Sequence, residues 1–182
     1  MLHDIEAWLA REGFPAAAEI VPMSPGLGET TLWRLSGIEP DGDLVLRLFP
    51  VGNERPRDRE TLAMRVASDA GVPVPEVIRI SEVAGRPAVL MTLAPGATVP
   101  TALGTDRRRA RATGRTLGTL LGRINQIPAP EGLAPADAWL DRAGPALAPL
   151  RDRLAALPHV DRLLHLDFHP ENVLMEGDEV TA

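Results

Sequence analysis

Between residues 4 and 12 the apolar positions Ile5, Trp8 and Leu9 recur at the three- and four-residue spacing of a helical stripe. Asp4 suits the cap at its start and Gly13 its stop. The rhythm then changes. EIVPMSPGLGETTLWRLSG and, after the turn signal PDGD, LVLRLFP are β-rich runs joined by turn residues, the pattern of an antiparallel meander. Helical spacing returns in RDRETLAMRVASDAG, which predicts Leu62, Val66 and Ala70 facing inward and Gly71 at the C-terminal cap. VPVPEVIRISE, the turn AGR and PAVLMTLAPG predict two more strands. From about Asp106 the period is helical again. DRRRARATGRTLGTLLGRINQI aligns Ala110, Leu117, Leu121 and Ile124 on one face, and shorter helices are expected over 136–143 and 146–156. NVLMEGDEVTA reads as a strand, a Gly-Asp turn and the start of another strand. The chain is therefore α+β. A β-rich part with one long helix covers 1–94, and after the connector APGATVP a mainly helical part covers 95–182.

Composition narrows the class. Of 182 residues, 45% are hydrophobic and 24% charged, as in ordinary soluble globular proteins. The formal charge of −6 argues against a nucleic-acid partner bound through a basic surface. The arginine run DRRRARATGR reads as a solvated helix face. With no cysteine, neither disulfides nor a thiolate metal site can form. No apolar run approaches membrane-spanning length, and MLHDIEAWLAREG carries acids where a signal peptide carries positive charge. A cytoplasmic protein with no membrane association is the expectation. There is also no lysine, so all 19 strongly basic side chains are arginine. Trp8, Trp33 and Trp139 read as packing residues, and INQIPAPEGLAP as a surface linker.

The densest chemistry lies in HLDFHPEN, where His165, Asp167 and Asn172 have the H-x-D-x-x-x-x-N spacing of a kinase catalytic loop. In that chemistry an aspartate reaches the acceptor hydroxyl and an asparagine oxygen reaches a magnesium ion on the nucleotide phosphates. Pro170 stiffens the loop by fixing its own φ and keeping His169 extended, and His165 is expected to be a buried, orienting histidine. Two other readings stand beside this one. His165, Asp167 and His169 at i, i+2 and i+4 would share one face of a regular strand as ligands of a metal-dependent hydrolase. Alternatively, Asp167 and Asn172 would cap local backbone in a polar turn.

The first half of the chain favours the kinase reading. PGLGETTLWRL offers a glycine-rich hairpin in which Gly26 and Gly28 permit close backbone approach and Thr30 or Thr31 offers a hydroxyl to phosphate. Arg47 interrupts the apolar strand LVLRLF, which is unusual unless something anionic meets it. Glu60, on the following helix, is its natural partner. Two other nucleotide motifs fail: without lysine there is no Walker A loop, and Gly26-x-Gly28-x-x-Thr31 lacks the third glycine of a dinucleotide fingerprint.

VLRLF, RETLAMRVASDAGVPVPEVI, PAVLMTLAPG and LLHLDFHPENVLMEGDEVTA together resemble the aminoglycoside phosphotransferase and choline kinase-like family, the small-molecule branch of the protein-kinase-like fold. The resemblance implies an antiparallel N-lobe over 1–94 and a partial, mainly helical C-lobe over 95–182 carrying the catalytic loop 165–172. It implies ATP and Mg²⁺ as cofactors and a small hydroxylated molecule as acceptor. Asp167 would be the catalytic aspartate and Asn172 a magnesium ligand. Arg47 would replace the phosphate-contacting lysine, anchored by Glu60, and the backbone from Met91 to Leu93 would hydrogen-bond the adenine. The chemistry tolerates this arginine, since guanidinium is always charged and contacts phosphate bidentately.

In that family a second metal-binding aspartate follows the asparagine hairpin, in a segment resembling I-D-W that is not found here. Asp178, in the Gly-Asp turn, is no substitute. On this basis the chain reads as a truncated kinase, inactive as it stands or a non-catalytic nucleotide-binding remnant. The apolar faces of 110–124 and 172–175 are expected to lie uncovered and to promote self-association.

Overall fold

The apolar run Leu44–Val45–Leu46 and its neighbours form the central strand of a five-stranded antiparallel sheet in the computed structural model, which describes residues 1–23, 30–38, 42–104, 106–133, 145–156, 158 and 161–182. The strands are β1 (Glu19–Pro22), β2 (Thr31–Ile38), β3 (Gly42–Leu48), β4 (Val77–Val83) and β5 (Arg86–Thr92), in the order β1-β2-β3-β5-β4. Every neighbouring pair is antiparallel. Alternation sends Leu44, Leu46 and Leu48 to one face. There they pack with Leu35, Val83, Ala88 and Leu90 against Ile5, Trp8 and Leu9 of helix α1 (Leu2–Glu12).

Helix α1 starts earlier than the sequence pattern predicts. Asp4 lies inside its first turn, 2.7 Å from the N-terminal ammonium, and makes no cap. Gly13 does end it, with φ +81°. Strand order also leaves Val45 and Arg47 pointing to the opposite face of the sheet, where helix α2 (Glu54–Asp69) crosses. Helix α2 buries Thr61 and Ala67, and Thr61 can enter the core because its hydroxyl donates to the carbonyls of Arg57 and Asp58 at 3.1 and 3.0 Å. Ala70 is exposed rather than inward, because the helix has already ended there and Gly71 (φ +74°) turns the chain away.

APGATVP is more than a connector. It forms β6 (Ala97–Thr98) and the short helix α3 (Val99–Leu103), and β6 pairs with β7 (Leu174–Glu176), which pairs with β8 (Glu179–Val180). The approach is close at Gly96, where φ is +103° and a Cβ would stand 2.3 Å from the Met175 carbonyl oxygen. Helix α4 (Arg107–Ile124) begins at Asp106, whose carboxylate accepts from the Arg108 N–H at 2.9 Å. Its inward side is Thr113, Leu120 and Ile124 with Leu117 and Leu121 half-buried; Ala110, predicted on that side, is exposed. The sequence pattern had the period right and the start of the buried stripe one turn too early.

Leu120 and Ile124 are covered by Ala67, Val72, Ile127 and Leu163, and Val173 and Met175 by Val99. The surfaces expected to lie bare over 110–124 and 172–175 are thus largely closed by α2, α3 and the segment around Leu163. The helix expected over 146–156 is present as a 3₁₀ turn (Pro145–Leu147) followed by α5 (Ala148–Ala155). The helix expected over 136–143, Trp139, and Gly26 and Gly28 lie outside the described residues. Among those described, no helix is long and apolar enough to cross a membrane.

Candidate active site

Arg47 stands in β3 opposite Leu32 of β2 and Val89 of β5. Its Nη1 donates to Oε1 of Glu60, which α2 presents from the same side of the sheet. Burial pushes the Glu60 carboxyl above the usual carboxylate range, and the attraction of Arg47 offsets this only in part. The guanidinium lies 5.0 Å from the centre of the Phe49 ring, and among the described residues its buried Nε has no hydrogen-bond partner. Thr30 is half-buried at the entrance to β2; the Thr31 hydroxyl is buried and likewise unpartnered among the described residues.

Met91 is buried in β5 opposite Val45 and Val77. The Leu93 N–H donates to the Asp43 carbonyl at 3.1 Å and the Thr92 N–H to the Glu76 carbonyl at 3.0 Å. The sheet ladder thus extends one residue further than the sequence suggests and uses the Leu93 donor, so of the backbone from Met91 to Leu93 expected to meet adenine the Leu93 N–H is already taken.

The loop holding His165, Asp167 and Asn172 is anchored at both ends. Leu163 is buried and its N–H donates to the Ile127 carbonyl at 2.9 Å; Val173 is buried and its carbonyl accepts from the Val99 N–H at 3.1 Å. Between them Phe168 inserts against the clusters on both sides. Pro170–Asn172 form one 3₁₀ turn, capped by His169, whose Nδ1 accepts from the Glu171 N–H at 3.2 Å. This turn brings Asn172 back onto Asp167. The Asn172 Nδ2 donates to Asp167 Oδ2 at 2.8 Å and to the Asp167 carbonyl at 3.1 Å. His169 Nε2 stands 3.6 Å from the other carboxylate oxygen. The carboxylate is held from two sides yet its side chain is 75% exposed, so a substrate can reach it.

His165 is not the buried histidine expected. Its residue surface is exposed, although its ring meets Phe168 edge-on at 5.4 Å, and that partial desolvation pulls its pKa below the usual imidazole value. The three-ligand metal reading fails on geometry. Leu166 has φ +63°, which breaks strand alternation between His165 and Asp167, and His169 Nδ1 is already an acceptor. Among the described residues no group of three His, Asp or Glu side chains could hold a metal ion. Asp178 sits in the β7–β8 turn, bound by Arg109 at 2.6 Å.

Two pairs named from the sequence are thus brought together, Arg47 with Glu60 and Asp167 with Asn172. The sequence reading missed Phe49 and Phe168. Phe49 was legible in principle, since it lies two residues beyond Arg47 and strand alternation puts both on one side.

Over residues 19–182 the sequence matches the phosphotransferase enzyme family APH. Among solved structures, an aminoglycoside-3'-phosphotransferase of type VIII superposes with a TM-score of 0.68 at 20% identity, covering 98% of this chain and 74% of that one. The aminoglycoside phosphotransferase APH(3'')-Id from Streptomyces rimosus gives 0.67 at 15% identity, with 99% and 74% covered. The macrolide 2'-phosphotransferase MphH from Brachybacterium faecium gives 0.54 at 20% identity, with 97% and 69% covered. No curated protein matches the sequence. The structural likenesses establish the kinase-like fold, with its antiparallel sheet and helices.

Proposed function

The chain belongs to the phosphotransferase enzyme family, and from that premise we propose that it transfers the γ-phosphate of ATP to a hydroxyl of a small molecule in the cytoplasm. The observation that carries this reading is the Asn172 amide holding the exposed Asp167 carboxylate at 2.8 Å. A carboxylate so held can accept the proton of an acceptor hydroxyl as its oxygen attacks phosphorus, while the turn prevents it from swinging away.

Arg47 would contact the nucleotide phosphates. Its donor Nε, without a partner among the described residues, is suited to a phosphate oxygen, and Glu60 keeps the guanidinium in place. The hydroxyl of Thr30 and the backbone near Gly26 and Gly28 would complete the phosphate contacts, whereas Thr31, paired with Leu48, faces the α1 side; the Leu93 carbonyl with buried Met91 would receive the adenine. Because Asn172 spends its Nδ2 on Asp167, its Oδ1 remains for a cation. Asn172 suits magnesium, which keeps several waters and takes few protein ligands; when bound, the ion supplies charge neutralisation on the phosphates.

The acceptor classes proposed are aminoglycosides, macrolides, amino alcohols or sugars, the first two being named for structurally similar proteins. The test is ADP release from MgATP across a panel of these acceptors, together with nucleotide binding. Acceptor-dependent ADP release is the expected result, and failure both to bind and to turn over nucleotide would overturn the reading.

A further inference from the structure

We propose that Phe49 is a positioning residue that sets the plane of the Arg47 guanidinium, so that an arginine can serve as the phosphate-contacting cation. This inference rests on the phosphate-binding reading of Arg47. The ring cannot easily leave its place. Phe49 is 4% exposed, its N–H donates to the Pro87 carbonyl at 2.8 Å, and its own carbonyl accepts from Arg86 Nε at 3.0 Å. Strand alternation puts it on the same side as Arg47, and the guanidinium rests 5.0 Å from its centroid.

One hydrogen bond to Glu60 does not orient a guanidinium, because the fork can still swing about that contact. The ring removes this freedom. With Nη1 committed to Glu60 and the guanidinium carbon held 5.0 Å over the Phe49 ring, the fork is fixed at two points and the edge bearing Nε is turned to a defined direction. Nε there is buried and without a partner among the described residues. A buried donor of this kind is costly until an acceptor arrives. The Nε edge of a guanidinium is also one that takes an anion bidentately. The side chain as a whole is 32% exposed, so an anion can approach the fork although Nε itself is covered. A lysine at this position would need none of this, since an ammonium is a point charge with three rotatable donors and no plane to set. Phe49 and Arg47 therefore work as a unit.

The experiment compares the full chain, Phe49→Leu, Arg47→Lys and the double variant for MgATP affinity, and records the Arg47 Nε–Hε resonance, assigned by its loss in Arg47→Lys. In the wild type that resonance should carry a ring-current shift that disappears in Phe49→Leu and is retained in Phe49→Trp. Phe49→Leu should weaken MgATP binding about three- to tenfold when Arg47 is present and not when lysine replaces it, and Phe49→Trp should restore affinity. Equal loss on both backgrounds, or an Nε resonance indifferent to Phe49→Leu, would overturn the proposal. Should Phe49→Leu fail to fold, as judged by thermal melting, Phe49→Met keeps the volume without the ring and carries the same expectations. A wild type that binds no MgATP would sink the phosphotransferase reading, whereas the resonance would still decide whether Phe49 orients the fork.

Discussion

The side-chain amide of Asn172 donates to both the carboxylate and the backbone carbonyl of Asp167, at 2.8 and 3.1 Å. One residue thus ties the start of the proposed catalytic loop to its end, and the 3₁₀ turn at Pro170 supplies the reversal that makes the contact geometrically cheap. Asp167→Asn should lower turnover by about 10²–10⁴-fold while leaving ATP affinity nearly unchanged, because a positioned base acts in the transition state. Asn172→Ala should instead raise the magnesium concentration needed for half-maximal rate. Steady-state kinetics with a magnesium titration check both, and an Asp167→Asn variant of normal turnover would remove the loop from the chemistry.

Glu60 yields a pH prediction. Burial raises its folded-state pKa above the unfolded value of 4.5. Its favourable contribution is therefore fully present below that value and is lost as pH rises through the raised folded pKa. Glu60→Gln mimics the protonated form, so it should melt at a higher temperature than the wild type at pH 7, with the gap closing toward pH 4. The same variant should bind MgATP less well, since Arg47 loses its anchor. Melting curves across this range decide the matter; a gap of the opposite sign at pH 7 would contradict the burial argument.

Gly96 and Gly13 both have positive φ but differ in surroundings. A Cβ at Gly96 would strike the Met175 carbonyl, whereas at Gly13 nothing stands within 4 Å. Gly96→Ala should destabilise by at least about 2 kcal/mol, from left-handed strain plus displacement of the β6–β7 pair. Gly13→Ala should cost only the strain, about 1 kcal/mol. Urea denaturation of the two variants gives the comparison.

Asp178 should prove structural. Its carboxylate pairs with Arg109, which also donates to the Gly177 carbonyl at 2.6 Å, and it is largely exposed. Asp178→Ala should cost less than about 1 kcal/mol, as exposed ion pairs do, and leave the magnesium dependence of ATP binding unchanged. A marked rise in the magnesium requirement would make Asp178 a metal ligand after all.

What could be read from the chain was what is local. The alternating run around Arg47 set the strand and its two faces, and the period of residues 106–127 set a helix, because backbone geometry converts spacing directly into sidedness. The loop from His165 to Asn172 was legible for the same reason: its chemistry lies within a few residues, whose spacing lets Asp167 and Asn172 converge. Glu60 could be named as the partner of Arg47 because strand and helix are neighbours in the chain.

The tertiary structure decided whatever depends on a distant neighbour. Ala110 is exposed because the surfaces that cover α4 begin only at Thr113, and no local pattern encodes where another element stops. APGATVP became a strand because Ala97 meets Met175, a pairing that only the closed chain creates. The Leu93 N–H is unavailable because Asp43 reaches it. The physical reason is common to all three. Spacing along a chain determines which side chains share a face, but burial and hydrogen-bond occupancy are properties of two surfaces, and the second surface is supplied by folding.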